Sequence, residues 1–320
     1  MPSTPERLQL RSLAKINLDL RVLRKRQDGF HELRTIFQTI SLADTIYVEY
    51  QRGRTKIDLK SNLNIPGNLI LQAADIFMKT ARATGRLQFN LIKRIPLGSG
   101  LGGGSSNAAA VLLALPALLK KRIPLEKLME LAAELGSDVP FFLIGGTAVG
   151  LGRGTELYPL PDVPASPGLL ITPDIHSSTA AAYVALRRQP LDEVPSAIIN
   201  NFQAVVFAGQ SLSPNPQPLS TNDFESVVFS QHPQLKSIKT KLLKLGAWRA
   251  MMTGSGSAVF GLFANNESRD RAARSFRKGF LSNQVYPFKM VSRGRYRALW
   301  WRQLALSESK TWPPQDRYAR

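Results

Sequence analysis

The stretch Pro96-Leu97-Gly98-Ser99-Gly100-Leu101-Gly102-Gly103-Gly104-Ser105-Ser106-Asn107 decides how the chain folds around its chemistry. Five of the seven residues from Gly98 to Gly104 are glycine, so many backbone amides have no side chain in front of them. The two serines and the asparagine are favoured helix N-cap residues, and the apolar run 108–119 that follows predicts a helix. Free N–H groups and the positive end of the helix dipole converge at such a junction, so the stretch predicts an anion site for a phosphate.

Three interpretations of this glycine loop compete. The first is a flexible glycine-rich turn without a ligand. The second is a dinucleotide fingerprint, since Gly98, Gly100 and Gly103 fit G-x-G-x-x-G, but no strand ending in an acid follows the predicted helix. The third is a loop that binds a nucleoside triphosphate. It is not of the P-loop type, because no Gly-Lys-Ser/Thr follows at the required spacing.

The glycine loop resembles the phosphate-binding loop of the GHMP kinases, the superfamily of galactokinase, homoserine kinase, mevalonate kinase and phosphomevalonate kinase. Its Gly-Gly-Gly-Ser-Ser-Asn form is similar to the branch that acts on a cytidyl diphosphate. The resemblance covers about residues 8–291. It implies an α+β fold of two domains with the active site in the cleft between them. The patterning alone supports only mixed α and β elements with mostly antiparallel strand signals.

The implied reaction transfers the γ-phosphoryl group of ATP to the 2-hydroxyl of 4-diphosphocytidyl-2-C-methyl-D-erythritol, in the non-mevalonate isoprenoid pathway. Phosphoryl transfer demands mainly positioning and charge neutralisation. Mg²⁺ is therefore expected beside ATP, held by phosphate oxygens and water, and no protein ligand to the metal is predicted.

The bulk composition bounds the class of protein. The 320 residues suit one large domain or two ordinary ones, and a hydrophobic fraction of 43% fills a real core. No run of 18 apolar residues predicts a membrane span, and no secretory signal is recognised at the N-terminus. The absence of Cys excludes disulfides and thiolate chemistry, and it fits the cytoplasmic location that we predict.

The net charge of +19 leaves a second class of function open. The basic residues from Arg269 onward, with Trp300 and Trp301, would form a basic and aromatic surface for nucleic acid. The favoured interpretation is a solvated basic surface around a site for polyanionic small molecules, with no nucleic-acid and no membrane partner. The oligomeric state stays open between monomer and homodimer.

Two charged residues stand out as candidates for catalysis. Lys15 interrupts an apolar strand pattern, where a lysine either protects a sheet edge or works in a site. Asp138, in Gly136-Ser137-Asp138-Val139-Pro140, is either a helix cap, which Pro140 favours, or a catalytic carboxylate. The resemblance implies that Lys15 and Asp138 are the catalytic residues and that Asp138 accepts the proton of the attacking hydroxyl.

Phe30 and His31 are the candidates for base recognition. An aromatic ring can stack on a base, and an imidazole can hydrogen-bond the base edge. The resembled branch has Tyr where this chain has Phe30, a change that keeps the π-face. The substrate contacts that the resemblance implies are Asn17, Phe30, His31, Phe37, Asp138, Thr179 and Tyr183.

The ATP contacts that the resemblance implies lie on Asn68 and on the glycine loop. The loop residues are Pro96, Gly98, Gly100, Leu101, Gly102, Gly103, Gly104, Ser105 and Ser106. A second glycine turn, Met252 to Phe260, is either a plain hairpin or the family's third motif, which closes over the phosphates.

The domains are predicted as residues 1–164, the ATP-binding domain, 165–291, the second kinase domain, and 292–320, a basic tail with its last fifteen or so residues disordered. Strands are predicted over 7–13 and 16–23, and over 34–42 and 45–52 with a turn at Asp44. A helix capped by Asn68 is predicted over 68–84.

Overall fold

Two β-sheets organise the chain. The structure is a computed structural model and describes residues 6–175, 177–187, 196–210, 220–279, 284–305 and 312–314. The strands are β1 Glu6–Lys25, β2 His31–Gln51, β3 Lys56–Ser61, β4 Arg86–Ile92, β5 Thr147–Gly152, β6 Glu156–Pro159, β7 Pro167–Thr172, β8 Arg249–Met252, β9 Val259–Leu262 and β10 Gln284–Lys289.

The helices separate into a group on each sheet. They are α1 Leu69–Thr80, α2 Gly103–Leu118, α3 Leu125–Leu135, α4 Val139–Ile144, α5 Thr179–Ala185, α6 Ser196–Gln210, α7 Phe224–Gln231, α8 Pro233–Lys244, α9 Asn266–Gly279 and α10 Arg293–Gln303. The first sheet has the order β3-β4-β2-β5-β6 with β1 on β2, and the second has the order β10-β7-β9-β8. Pairing is antiparallel except between β3 and β4. The α+β class is confirmed.

The two long strands β1 and β2 differ from the prediction of four shorter ones. β1 continues through Lys15 with irregular register between Leu13 and Lys15 and again between Asn17 and Asp19. The predicted turn at Asp44 is wrong, because this carboxylate is fully buried and pairs with Lys93 at 2.9 Å while β2 runs straight past it. A buried partner from another strand therefore outweighs the local turn preference of an aspartate.

The helix that follows the glycine loop is the centre of the first core. Most of α2 is buried on every side, between the first sheet and helices α1, α3 and α4. It begins at Gly103 after Gly102, whose φ of +67° ends the loop, and not at the predicted caps Ser105 to Asn107. The prediction for α1 is confirmed at its start, where Asn68 Oδ1 accepts from the Ile70 amide at 3.0 Å.

The first part of the predicted basic tail is a helix in the structure. Residues 293–303 form α10, which lays Tyr296 and Trp300, 2% and 1% exposed, into the core of the first sheet. Pro313 and Pro314 are buried as well. Residues 306–311 and 315–320, which carry most of the predicted disorder, lie outside the described residues.

Candidate active site

A cavity of about 750 Å³ lies where the two sheets and their helices meet. Its walls combine β1, β2, the glycine loop and Asp138 from the first half of the chain with α5, α7 and the β8–β9 loop from the second half. The polar and aromatic lining residues are Lys15, Asn17, Lys25, Phe30, His31, Thr35, Phe37, Ser105, Ser137, Asp138, Arg153, Thr179, Tyr183, Phe224 and Ser255. Asp138 is the one acid that lines this cavity in the part of the chain that the structure describes.

Lys15 and Asp138 form an ion pair at the cavity wall. The Lys15 Nζ atom lies 3.3 Å from Asp138 Oδ2 and donates to Asn17 Oδ1 at 2.8 Å. It also lies 5.4 Å from the centre of the Phe37 ring. Lys15 is 3% exposed, whereas the Asp138 side chain is 34% exposed. The lysine is thus fixed from three sides, and the carboxylate faces the cavity.

The register of β1 explains why Lys15 and Asn17 point the same way. Residues at i and i+2 of a strand share a face, and the irregular register on both sides of this pair re-aims that face. Asn17 then bridges the two halves of the chain, since its Oδ1 accepts from the Gly254 amide at 3.0 Å and its Nδ2 donates to Thr35 at 2.8 Å.

The glycine loop and the β8–β9 loop touch backbone to backbone. Gly100 has a φ of +76°, and a Cβ there would lie 2.1 Å from the Thr253 carbonyl oxygen. Gly254 faces Gly100 from the other loop. Its φ is +56°, and a Cβ at this position would lie only 2.9 Å from Gly100 Cα. Both positions therefore require glycine.

The N-terminus of α2 is open to an anion. In any helix the first amides have no intrahelical partner, and here the first turn contains no acid and no capping side chain. Ser105 lines the cavity beside these amides. Ser106 is turned away, because its hydroxyl donates to the Leu13 carbonyl at 2.6 Å.

A buried ion pair lies beneath the glycine loop. Asp44 Oδ1 accepts from the amides of Arg94 and Ile95 at 2.7 and 2.8 Å, and its Oδ2 pairs with Lys93. The Lys93 ammonium also donates to the Ile95 carbonyl, directly before the loop. Burial lowers the pKa of Lys93, an effect that Asp44 opposes.

The β8–β9 loop is held from below by Asn222. Its Nδ2 donates to the carbonyls of Met252 and Gly254, both at 2.8 Å. Glu225 accepts from the Met252 amide at 2.8 Å. The second glycine turn is a hairpin between the paired strands β8 and β9, and it lies against the glycine loop. That it closes over the phosphates stays a prediction.

The other end of the cavity is aromatic. His31 stacks on Tyr183 with ring centres 4.6 Å apart, and Tyr183 meets the Phe224 ring edge-on at 4.8 Å. Phe30 is 48% exposed, with the Arg153 guanidinium 4.6 Å from its ring centre. Burial, aided by the charge of Lys25, lowers the pKa of His31 below its ordinary 6.5, and burial raises the pKa of Tyr183.

A second cavity, of about 530 Å³, lies at the start of α1. Asn68 lines it, together with Leu63, Ile65 and Leu71. The residue after Asn68, Leu69, connects this region to the glycine loop, because its side chain lies 3.7 Å from the position of a Cβ on Gly104.

Two family models match this chain. The GHMP kinases N terminal domain matches residues 68–146, and the GHMP kinases C terminal domain matches residues 210–281. A 4-diphosphocytidyl-2-C-methyl-D-erythritol kinase of Solibacter usitatus is 52% identical over 99% of both chains. The chain belongs to this kinase family. The enzyme of the same name from Thermotoga maritima is 43% identical, over 80% of this chain and 92% of that one.

Solved structures agree with this membership. The crystal structure of a 4-(cytidine 5'-diphospho)-2C-methyl-D-erythritol kinase superposes with a TM-score of 0.74 at 35% identity, over 88% of this chain and 99% of that one. A homoserine kinase from Cytophaga hutchinsonii has a TM-score of 0.70 at 18% identity, over 91% and 96% of the two chains. The second likeness concerns the fold alone.

Most residues predicted for this kinase site meet in the one cavity. Those that line it are Lys15, Asn17, Phe30, His31, Phe37, Gly100, Gly102, Ser105, Asp138, Thr179 and Tyr183. Pro96 instead lines a third cavity, of about 430 Å³, with Thr172 and Gln284. Leu101 is buried, and only its carbonyl serves the site, by accepting from the Lys15 amide at 3.0 Å. Asp138 precedes α4 but makes no side-chain capping bond.

The sequence analysis did not predict the positively charged side chains that line this cavity, nor the residues that hold its loops and its lining side chains in place. Lys25 and Arg153 line the aromatic end of the cavity. Thr179 was predicted, but its partner Ser255, at 2.8 Å, was not. Asn222 was not predicted as a support, and the structure buries it under the β8–β9 loop. None of these residues stands in a local pattern that marks its role.

Replacing Gly100 with Ala is expected to lower kcat/KM for ATP by about 10²-fold, because the new Cβ would push the two loops apart and misplace the phosphates. Gly246→Ala is the matched control, since Gly246 has a φ of +93° but no atom within 4 Å of a Cβ. Steady-state kinetics of both variants separate the clash from the strain of positive φ. Equal losses in the two variants would contradict this account.

Proposed function

We infer that the chain transfers the γ-phosphoryl group of ATP to the 2-hydroxyl of 4-diphosphocytidyl-2-C-methyl-D-erythritol and releases the 2-phosphate and ADP. The observation that carries this is the single cavity in which the Lys15–Asp138 pair and the glycine loop face Phe30, His31 and Tyr183. A kinase centre and an aromatic base site thus share one space. The family membership supplies the identity of the acceptor and its place in the non-mevalonate isoprenoid pathway.

The step needs a base at the acceptor and donors at the phosphates. The 2-hydroxyl oxygen attacks the γ-phosphorus, the bond from phosphorus to the β–γ bridging oxygen breaks, and the hydroxyl proton passes to Asp138. Lys15 orients this carboxylate, 3.3 Å away, and offsets negative charge on the transferring oxygens. The open amides at the start of α2 hold the phosphates that remain on ADP.

The residues present suit a Mg²⁺ ion that is held largely by nucleotide phosphates. Ser105, Ser137 and Asp138 bring oxygen donors to this end of the cavity, and Mg²⁺ keeps waters and phosphate oxygens as its other ligands. When bound, the ion offsets the charge of the β- and γ-phosphates. The described residues contain no cluster of three or more His, Cys, Asp or Glu side chains suited to a metal.

The aromatic end suits the cytidine diphosphate group. Phe30 offers a half-exposed face for stacking, and His31, whose pKa is lowered, is neutral near pH 7 and can exchange a hydrogen bond with the base edge. Lys25 and Arg153 bring two positive charges to the same wall, where the diphosphate of the acceptor requires them. The 530 Å³ cavity lined by Asn68 is our candidate site for the adenine of ATP.

Phe30→Ala is expected to raise the KM for the cytidyl acceptor by about 5- to 150-fold, since stacking is worth about 1–3 kcal/mol per base. The kcat and the KM for ATP should stay within twofold of the parent. Tyr158→Ala is the control, because Tyr158 is an aromatic residue of similar exposure, 56% against 48% for Phe30, and does not line the cavity. A KM for the acceptor that does not change would remove Phe30 from the base site.

The function is tested by Mg·ATP-dependent ADP release with 4-diphosphocytidyl-2-C-methyl-D-erythritol, run beside mevalonate, homoserine and galactose. Release with the cytidyl compound alone is expected. Release with another acceptor would keep the kinase site and overturn the cytosine assignment. Release with none of the four would overturn the proposed reaction.

The structure weakens the nucleic-acid alternative, since Trp300 is buried in the core and cannot stack on a base. A small-molecule partner is therefore retained. No described helix has the length and apolar character needed to cross a membrane. Cytoplasmic location and the choice between monomer and homodimer stay predictions.

A further inference from the structure

Helix α4 connects the carboxylate of the site to the core. Asp138 stands directly before its first residue. Phe141, on the same helix, packs against the Phe37 ring with centres 4.9 Å apart, and Phe37 is the ring beneath Lys15. A shift of α4 would therefore move both members of the ion pair.

The same helix also supports the glycine loop. The Phe142 ring lies 2.9 Å from the position that a Cβ on Gly102 would take. Gly102 is the residue that ends the loop and precedes α2. Three parts of the proposed kinase centre thus rest on six residues, a helix too short to be stable by itself.

The last carbonyls of α4 are completed from the far end of the chain. Helix C-termini leave carbonyls without intrahelical partners. Here the Phe142 carbonyl accepts from the Tyr296 hydroxyl, and the Leu143 carbonyl accepts from Trp312 Nε1 at 2.9 Å. Both donors lie beyond residue 281, where the match to the GHMP kinases C terminal domain ends.

Tyr296 is held so that its hydroxyl reaches this carbonyl. Its ring fills the space above Gly145, where a Cβ would come within 2.2 Å of the ring. The start of α10 is anchored by Arg293, whose amide donates to Asp162 at 2.5 Å and whose guanidinium donates to the Leu160 carbonyl at 3.0 Å.

We propose that Tyr296 and Trp312 are positioning residues for the phosphoryl transfer: they complete the C-terminal end of α4 and thereby hold Asp138 against Lys15. The inference rests on the proposed role of Asp138. It gives Tyr296 and Trp312 a part in turnover, and not only in packing.

The first test is Tyr296→Phe, which keeps the ring above Gly145 and removes only the hydroxyl. We expect kcat to fall about tenfold, because small misplacements of a catalytic group are costly, while the KM for ATP stays within twofold. Assays are run at a temperature where the circular dichroism of the variant matches the parent. A kcat within twofold of the parent would overturn the proposal.

The second test repeats Tyr296→Phe in an Asp138→Asn background. If Tyr296 acts through the carboxylate, its removal should change kcat there by less than twofold. An equal tenfold loss in both backgrounds would overturn the proposal and indicate a general packing effect. Asp138→Asn alone reports separately on the proposed function, since near-normal turnover would exclude Asp138 from the mechanism whatever Tyr296 does.

The third test uses one substitution at two neighbouring tryptophans. Trp312→Phe removes the donor to the Leu143 carbonyl, and we expect kcat to fall several-fold with the KM for ATP unchanged. Trp301→Phe is the control, because its ring lies 6.2 Å from that of Trp312 and its Nε1 has no hydrogen-bond partner among the described residues. Equal kcat values for the two variants would overturn the role of Trp312.

Discussion

Asp138→Asn is expected to lower kcat by about 10³-fold, within the 10²–10⁴-fold range that a positioned general base contributes. The amide keeps the size of the side chain but cannot take the hydroxyl proton. Nothing at the start of α2 changes, so the dissociation constant for ATP, measured by isothermal titration without acceptor, should stay within about threefold.

The matched control is Asp75→Asn on α1. Asp75 is also paired with a lysine, Lys79 at 2.6 Å, but both side chains are exposed and neither lines the cavity. Its variant should keep parental kcat, which would show that loss of an Asp–Lys pair alone does not stop turnover. A kcat for Asp138→Asn within tenfold of the parent would mean that the hydroxyl loses its proton elsewhere.

Some parts of this site could be predicted from the sequence because they depend on residues that are close together in the chain. The cap Asn68 and the helix after the glycine loop are short patterns with a direct physical meaning, and the structure has both, although α2 begins at Gly103 and not at the predicted caps. Lys15 and Asn17 also share a short segment. The i, i+2 spacing gives them a common face, but the direction of that face depends on the irregular register of β1, where the pattern predicted two separate strands.

The parts that failed depend on partners distant in sequence. Asp44 looked like a turn residue, because its counter-charge Lys93 lies on another strand's end. The α10 helix was not predicted, because its arginines indicated a basic tail. Tyr296, Trp300 and Leu304 nevertheless follow the i, i+4 spacing of a buried helical face. The charged composition of α10 reflects its exposed side and gives no sign of its buried aromatic face.

The buried pair beneath the glycine loop gives the largest expected change in stability. Lys93→Met is expected to lower the free energy of unfolding by about 3–5 kcal/mol, because it leaves Asp44 as an uncompensated buried charge. Lys79→Met, which breaks the exposed pair with Asp75, should cost less than about 1 kcal/mol. Urea denaturation of both variants measures the difference.

The double variant Asp44→Asn/Lys93→Met tests whether the loss of stability in Lys93→Met comes from the uncompensated charge of Asp44 or from the lost hydrogen bond of Lys93. The asparagine oxygen can still accept from the amides of Arg94 and Ile95, which lead into the loop, while no net charge is buried. If the cost of the single variant is the uncompensated charge, the double variant should recover more than half of the lost stability. A double variant as unstable as Lys93→Met would mean that the bond from Lys93 to the Ile95 carbonyl holds this segment. In that case the KM for ATP should rise in both variants, because the glycine loop follows directly from Ile95.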